Sequence, residues 1–395
     1  MELYFIVFGL LWASAFFEYI LKKKYAVYLS IFIAYIFTAF RFETGNDWPI
    51  YLRIFDNVEP LLSTSLSSLL STSTLFNKEF LFVFFNSALK QLWGEFQVII
   101  VATSTLYFYS FFHFLKAINA TQATVFAASF SWLIFSVFFS TISQSLAISF
   151  FLLFWVANIQ QHSKKAALFA ILSVSFQVSA VIYFIIFFLA RKIPSRKTLL
   201  IGWAITLIII LGKIDIAGKI IEVILSFMSS AGLGGVSNKI SYYLFERGLI
   251  LNNFDQAFVL LSTIVIGGWL LFKKKLITNL PNPQLYGYAI YFILFQGLFI
   301  SHVVFRYRLL YVAFPIIFFI IFFSYKKSKM TTRLLVLLLS FMVSISYVAL
   351  YLNKRDSITF IPYQNYLYFK VFSDVSESTG HQRSRKMLEG VKRAN

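Results

Sequence analysis

The sequence has no cysteine and only four histidines among its 395 residues. The first absence excludes disulfides and thiolate chemistry. The second leaves little material for a histidine metal site. Charge is scarce too, at 13% of residues, and acidic charge is scarcest, with 16 Asp and Glu against 35 Lys and Arg. No P-loop, His-Glu-x-x-His, Gly-x-Ser-x-Gly, dinucleotide-binding glycine fingerprint or Asp-x-Asp pair occurs. Nothing implies a nucleotide, a metal or another cofactor, and a metal-dependent nucleotide-sugar enzyme of the soluble type is disfavoured.

What is present is apolar. Hydrophobic residues make up 59% of the chain and Phe alone occurs 50 times. Mean hydropathy is +0.76. A soluble domain is nearer about 45–50% apolar and about 25% charged. The composition is that of a multi-spanning membrane protein. The net charge of +19 would suggest nucleic acid in a soluble chain. Here the basic residues fall in short clusters between apolar runs, which is the pattern that sets membrane orientation. An anionic substrate is a second contributor to weigh; nucleic acid is not.

Roughly 20 apolar residues cross a bilayer as a helix. Candidate spans are 3–20, 25–40, 96–115, 123–139, 142–159, 166–190, 198–211, 256–272, 285–303, 308–324 and 331–350. The first has no basic stretch before it and Lys22–Lys24 after it, so it reads as a retained span. The expectation is an all-α, polytopic helical bundle of about 11–12 spans. It forms one integral membrane domain over 1–372, followed by a polar, flexible tail over 373–395. Clusters Lys22–Lys24, Lys164-Lys165, Arg191-Lys192 with Arg196-Lys197, Lys273–Lys275 and Lys326–Lys329 belong on the cytoplasmic side. Segments 41–95 and 212–255 then become the two long periplasmic loops. The stretch 79–93 is too short for a comfortable span and reads as interfacial or re-entrant.

One run conflicts with this scheme. Basic clusters flank 166–190 on both sides, and "SVSFQVS" interrupts its centre at Gln177. Either two half-helices dip in and out beside a cavity, or a single tilted helix carries one imperfect basic loop.

Charges at membrane level are expensive and are functional candidates by default. Arg41 ends the second run, Arg306 and Arg308 lie between two others, and Arg247 lies in an outer loop. The orientation rule predicts few basic residues on that face. An arginine fork there either grips phosphate oxygens or snorkels to the headgroups. Asp47 follows Gly45-Asn46, a tight-turn pair. Its carboxylate is either a general base for a sugar hydroxyl or a turn cap and partner of Arg41. Gln144 and Gln177 either bind sugar or phosphate, or are satisfied packing residues. Trp48 and Tyr51 either stack on a sugar ring or are ordinary interfacial aromatics. His302 beside the Arg306 cluster reads as a structural residue.

The stretch "FRFETGNDWPIYLRIF", from Phe40 to Phe55, resembles the opening signature of the EpsG/Wzy-type polysaccharide polymerase family. Arg41, Gly45, Asp47 and Tyr51 match its order, and Glu79 matches a Glu that heads an apolar helix. Gln144 matches the second residue of an Arg-Gln pair whose first is here Ser143. Gln177 stands where the family often has a His. A late Arg followed by a Tyr is matched by Arg306 or Arg308 with Tyr311. The order of these signals runs from about residue 40 to 312.

The resemblance implies a bacterial inner-membrane, multi-pass glycosyltransferase with a GT-C-like fold and its active site facing the periplasm. It implies undecaprenyl-pyrophosphate-linked glycans as donor and acceptor, for O-antigen, capsule or exopolysaccharide synthesis. No metal or cofactor is required, and a chain-length co-polymerase is a conceivable partner beside membrane lipid. In that scheme Arg41 with Arg306 or Arg308 holds the pyrophosphate. Asp47, or else Glu79, takes the proton. Tyr51, Trp48, Gln144 and Gln177 line the sugar path, and the loop bearing Arg247 closes over it. The rival readings are a lipid-linked oligosaccharide flippase, an O-antigen ligase-like glycosyltransferase and a membrane acyltransferase. A flippase calls for deep intramembrane charge and internal repeats, and neither is visible in the sequence.

Overall fold

The structure is a computed structural model. It describes residues 1–21, 25–230, 253–272, 280–300, 303–326, 328–353, 358–372, 380 and 382–383. Helices account for all its regular elements apart from one isolated β-bridge among the described residues, as an apolar environment demands of a backbone that cannot bond to water. Among the described residues, five helices are long and apolar enough to cross a membrane. They are α1 (Glu2–Leu21), α6 (Gln97–Ala117), α8 (Ile142–Ile159), the Arg308–Tyr325 part of α16 (Val303–Tyr325) and α17 (Met330–Leu352). The shorter apolar helices include α2 (Ala26–Ala39) and α7 (Ala123–Leu133), the latter running on into a π turn, Ile134–Phe138.

The chain forms two compact units, Met1–Ala180 with Tyr325–Asn395, and Val181–Ser324. In the first, large aromatic side chains fill the interior, and Trp12, Trp155, Phe111 and Phe114 are almost fully buried. α17 joins this unit through stacked ring pairs, Trp132 on Tyr347 at 4.4 Å and Phe135 on Tyr351 at 4.3 Å between centroids. Its opposite side exposes Leu335, Leu339, Met342, Val343 and Leu350. Leu, Met and Val exposed in a row along a 23-residue apolar helix are a lipid-facing stripe.

The outer segment expected as a long loop is largely helical. It folds into α3 (Trp48–Asn57), α4 (Leu66–Leu75) and α5 (Phe80–Leu92). Ser65 caps α4 by accepting from the Ser68 amide, which is why the Ser/Thr-rich run starts a helix there. Lys90 on α5 donates to the carbonyls of Phe55, Asp56 and Val58 at 2.8, 3.1 and 2.8 Å. Those are orphan acceptors at the end of α3, so α5 holds α3 in place.

The run 166–190 is broken. α9 (Ser163–Phe176) ends at Gln177, whose backbone is extended (φ −159°, ψ 109°). A short 3-10 turn, Val178–Ala180, precedes α10 (Val181–Leu189). The helix is thus interrupted at Gln177. The Val178 amide beyond the break donates to Glu79 Oε1, a partner from outside the helix of the kind a break at membrane depth needs.

The second unit contains α10, α11 (Arg196–Gly212) and α12 (Ile216–Ser230), followed by α13 (Asn253–Ser262), α14 (Gly268–Phe272) and α15 (Pro283–Leu298). α11 and α12 turn by 97° beyond Lys213, which adopts a left-handed conformation at φ 51°. Part of the stretch expected as a second outer loop is thus helix. Asn282 caps α15 ahead of Pro283, as the N-terminal position of Pro favours.

Candidate functional site

The opening signature folds into a short extended loop between α2 and α3. Arg41 forms a β-bridge with Asn365. Phe42 N donates to Gln364 O at 2.8 Å, Tyr366 N to Phe40 O at 2.7 Å, and Gly45 N to Thr359 O at 3.1 Å. A chain segment over 300 residues away thus supplies the loop's backbone partners. Gly45 sits at φ +120°, and a Cβ there would lie 2.0 Å from Phe139 O. Only glycine allows that approach. It seats the loop on the tip between the π turn and α8. At that tip the hydroxyls of Ser140, Thr141 and Ser145 donate to Phe135 O, Ser136 O and Val137 O. Side-chain hydroxyls thus bond the carbonyls of the π turn.

Arg41 is 3% exposed. Nη1 donates to Thr38 O at 3.0 Å, and the guanidinium carbon lies 5.2 Å from the Phe139 ring centroid. Nε is buried without a hydrogen-bond acceptor. Burial pulls the group down to about 10, while the phenols of Tyr363 and Tyr4 act in the other direction. It stays a cation at neutral pH, and the groups acting on it are phenols rather than a carboxylate. Asp47 occupies the N-cap position of α3 without a side-chain capping bond. Trp48 is buried at the first position of the same helix.

Four of the expected site residues meet in one buried polar cluster. Tyr51 OH lies 3.1 Å from Ser143 Oγ. Ser143 Oγ donates to Gln177 Oε1 at 2.9 Å. Ser179 Oγ donates to Gln144 Oε1 at 3.3 Å. Glu79 Oε1 accepts from Val178 N at 3.3 Å. Gln144, Gln177 and Ser143 are buried, and Glu79 is 9% exposed. The cluster is where helix starts meet. Tyr51 lies in the first turn of α3, Glu79 at the N-cap of α5, and Ser143 and Gln144 in the first turn of α8. Each start contributes the partial positive charge of a helix N-terminus. Lys78 Nζ adds a full charge, 4.8 Å from the Tyr51 ring centroid. The sum is a positive, hydrogen-bonding cluster with one carboxylate in it. Such a surface suits an anionic, hydroxyl-bearing ligand.

Lys78, Ser143 and Ser179 enter the cluster without having been singled out from the sequence. Lys78 had a visible signal, since it directly precedes the Glu that heads α5. Arg306 and Arg308 lie on α16 in the second unit, where Arg306 is 2% exposed. The Arg308 carbonyl accepts from Tyr183 OH at 3.0 Å. Arg247 and His302 lie outside the described residues. Among the described residues no group of three His, Cys, Asp or Glu side chains is placed to hold a metal ion.

The tail also differs in part from the flexible segment expected. Arg383 is 2% exposed. Its Nη1 donates to Pro362 O at 2.7 Å, and Nη2 donates to Glu43 O and Gln364 Oε1, both at 2.9 Å. Gly380 and Arg383 therefore lie against the loop that carries Glu43.

No curated protein and no solved structure matches the chain. The sequence profile of the EpsG family matches residues 24–365, from the start of α2 through the segment that pairs with the Arg41 loop. That stretch is most of the chain and contains every residue of the polar cluster, and the protein belongs to the EpsG family.

Proposed function

We propose that the chain is a membrane polysaccharide polymerase. It joins oligosaccharide repeat units carried on a polyprenyl pyrophosphate, undecaprenyl in a bacterial inner membrane, at the periplasmic face. The observation that carries this reading is the convergence of three helix starts on the Tyr51–Ser143–Gln177 hydrogen-bond chain, with Glu79 bonded across to Val178. Family membership supports polymerisation of polysaccharide as the general activity.

In the proposed reaction an acceptor hydroxyl oxygen attacks the anomeric carbon of the donor sugar. The carbon–oxygen bond to the pyrophosphate breaks, and its electron pair leaves with the phosphate oxygen. The hydroxyl proton passes to a carboxylate. Glu79 is the better placed of the two expected bases, because it belongs to the polar cluster. Asp47, half-buried at the head of α3, is the alternative. The positive ends of the α3, α5 and α8 dipoles, with Lys78, stabilise the charge that develops on the departing pyrophosphate. Arg41, a buried cation with the phenols of Tyr363 and Tyr4 near it, adds a further positive charge to the loop that carries Asp47. Gln144 and Gln177 offer amide groups to sugar hydroxyls.

The test is glycan length in a host lacking its own polymerase, complemented with wild type, Glu79→Gln, Asp47→Asn, Arg41→Ala or Arg306→Ala at equal protein levels. Loss of the ladder, leaving single repeat units on the lipid core, is the expected result for Glu79→Gln. Loss of all glycan, even the single unit, would place the defect in export and favour a flippase. A full-length ladder from both carboxylate variants would sink the proposed base chemistry.

A further inference from the structure

The Arg383 contacts reach the very loop on which the proposed site depends. Glu43 lies between Arg41 and Gly45 and adopts φ 46°, a left-handed conformation that a non-glycine residue holds only when its surroundings impose it. Two tail residues fasten it. Gly380 N donates to Glu43 Oε2 at 2.6 Å, and Arg383 Nη2 donates to Glu43 O at 2.9 Å. The same guanidinium reaches Pro362 O and Gln364 Oε1, on the segment that pairs with Arg41 and Phe42. One planar fork thus ties together the two strands of the loop closure, a geometry that a lysine ammonium does not reproduce. Gly380 is packed so closely that a Cβ would lie 2.5 Å from Glu43 Cβ and 2.6 Å from Trp48 Cζ2. Burial lowers the Arg383 guanidinium, and Glu43 acts to raise it. The family profile ends at residue 365, so this fastening lies beyond the shared region.

We infer that Gly380 and Arg383 form a clasp that holds the 41–47 loop in its site-forming conformation, with Arg383 as a positioning residue. The part concerning catalysis rests on the polymerase reading; the part concerning the loop does not. Without the clasp the β-bridge at Arg41 and the left-handed turn at Glu43 open together, and Asp47 and Trp48 lose their placement at the head of α3.

The absence of cysteine makes a clean reporter available. Thr44 is 1% exposed, so a single Thr44→Cys in native membranes should react slowly with a maleimide. Adding Arg383→Ala should speed labelling by about tenfold or more, as expected for losing several buried bonds to a charged group. Gly380→Ala should do the same through steric wedging, which covers the case in which Arg383→Ala does not accumulate. Unchanged labelling in both would overturn the clasp. In the complementation assay Arg383→Ala should shorten the ladder, and Arg383→Lys should recover only part of it. A shortened ladder with Thr44→Cys still protected would overturn positioning as the cause. If wild type itself makes no polymer, the functional reading fails, and the labelling result still decides the clasp.

Discussion

The Tyr51 hydroxyl lies 3.1 Å from Ser143 Oγ, 92 residues further along the chain. Ser143 has a single hydroxyl proton and gives it to Gln177. Tyr51 must therefore be the donor in its own bond to Ser143. The chain of bonds runs one way, from α3 through α8 to the break at Gln177. It leaves the Gln177 amide nitrogen as a donor for something else.

Removing that hydroxyl tests the cluster directly. Tyr51→Phe keeps the ring that packs against Phe82 and the Lys78 contact, but leaves the Ser143 oxygen without its donor. A loss of about 1 kcal/mol in stability is expected, together with a shortened glycan ladder. Thermal unfolding in detergent and the complementation gel would separate the two effects. A full ladder would show that the hydroxyl serves packing alone.

Gly45 is the second point of sensitivity. Its φ of +120° and the 2.0 Å approach to Phe139 O allow no side chain. Gly45→Ala should destabilise the loop by roughly 1–3 kcal/mol, and more if the π-turn tip cannot move aside. Faster maleimide labelling of Thr44→Cys in this background would report the displaced loop. Wild-type labelling and unfolding temperature would contradict the close approach.

Lys90 is the third. Lys90→Met keeps the apolar stem beside Phe55 but removes the three bonds to the end of α3. A charge-assisted cap of this kind contributes about 1–3 kcal/mol, so the variant should unfold at lower temperature. Its polymerisation should fall less than that of Glu79→Gln, because Lys90 supports α3 from the end away from the cluster.

A pH effect is expected at α18 (Tyr366–Phe372). Lys370 Nζ lies 2.6 Å from Glu95 Oε1, and Tyr366 OH donates to Glu95 Oε2 at 2.6 Å. Both hydrogen bonds hold the Glu95 carboxyl below its ordinary value of 4.5. A depressed carboxylate contributes stability that is present above its unfolded value and lost as pH falls through the lower folded one. The docking of α18 should thus be unaffected at neutral pH and weaken only below about 4.5. The pair is half exposed, so the contribution is under about 1 kcal/mol. Trp93, 6.3 Å from Tyr366 between ring centroids, is a fluorescence reporter of this step. Glu95→Gln should abolish it.

The sequence by itself determined the solvent, the helical class and much of the site's membership. Long apolar runs leave the backbone no alternative to helix in lipid. Gln144 and Gln177, in apolar runs, are costly enough there to mark themselves, while Glu79 was marked by the family resemblance and Tyr51 by its place in the opening signature. Gln177 marked the place where the helix breaks, though the sequence left a single tilted helix equally open. What only the tertiary structure decided is which of these residues meet, and what holds them. Lys78, Ser143 and Ser179 are unremarkable in composition and matter because three helix starts converge on them. Arg41 looked like a free phosphate fork, yet it is buried against Phe139 with its loop closed by residues 359–366. Arg383 looked like part of a loose polar tail, yet it closes the same loop across 340 residues of sequence. Local pattern reports what each residue costs in lipid. It carries no record of contacts between segments that only the packed fold brings together.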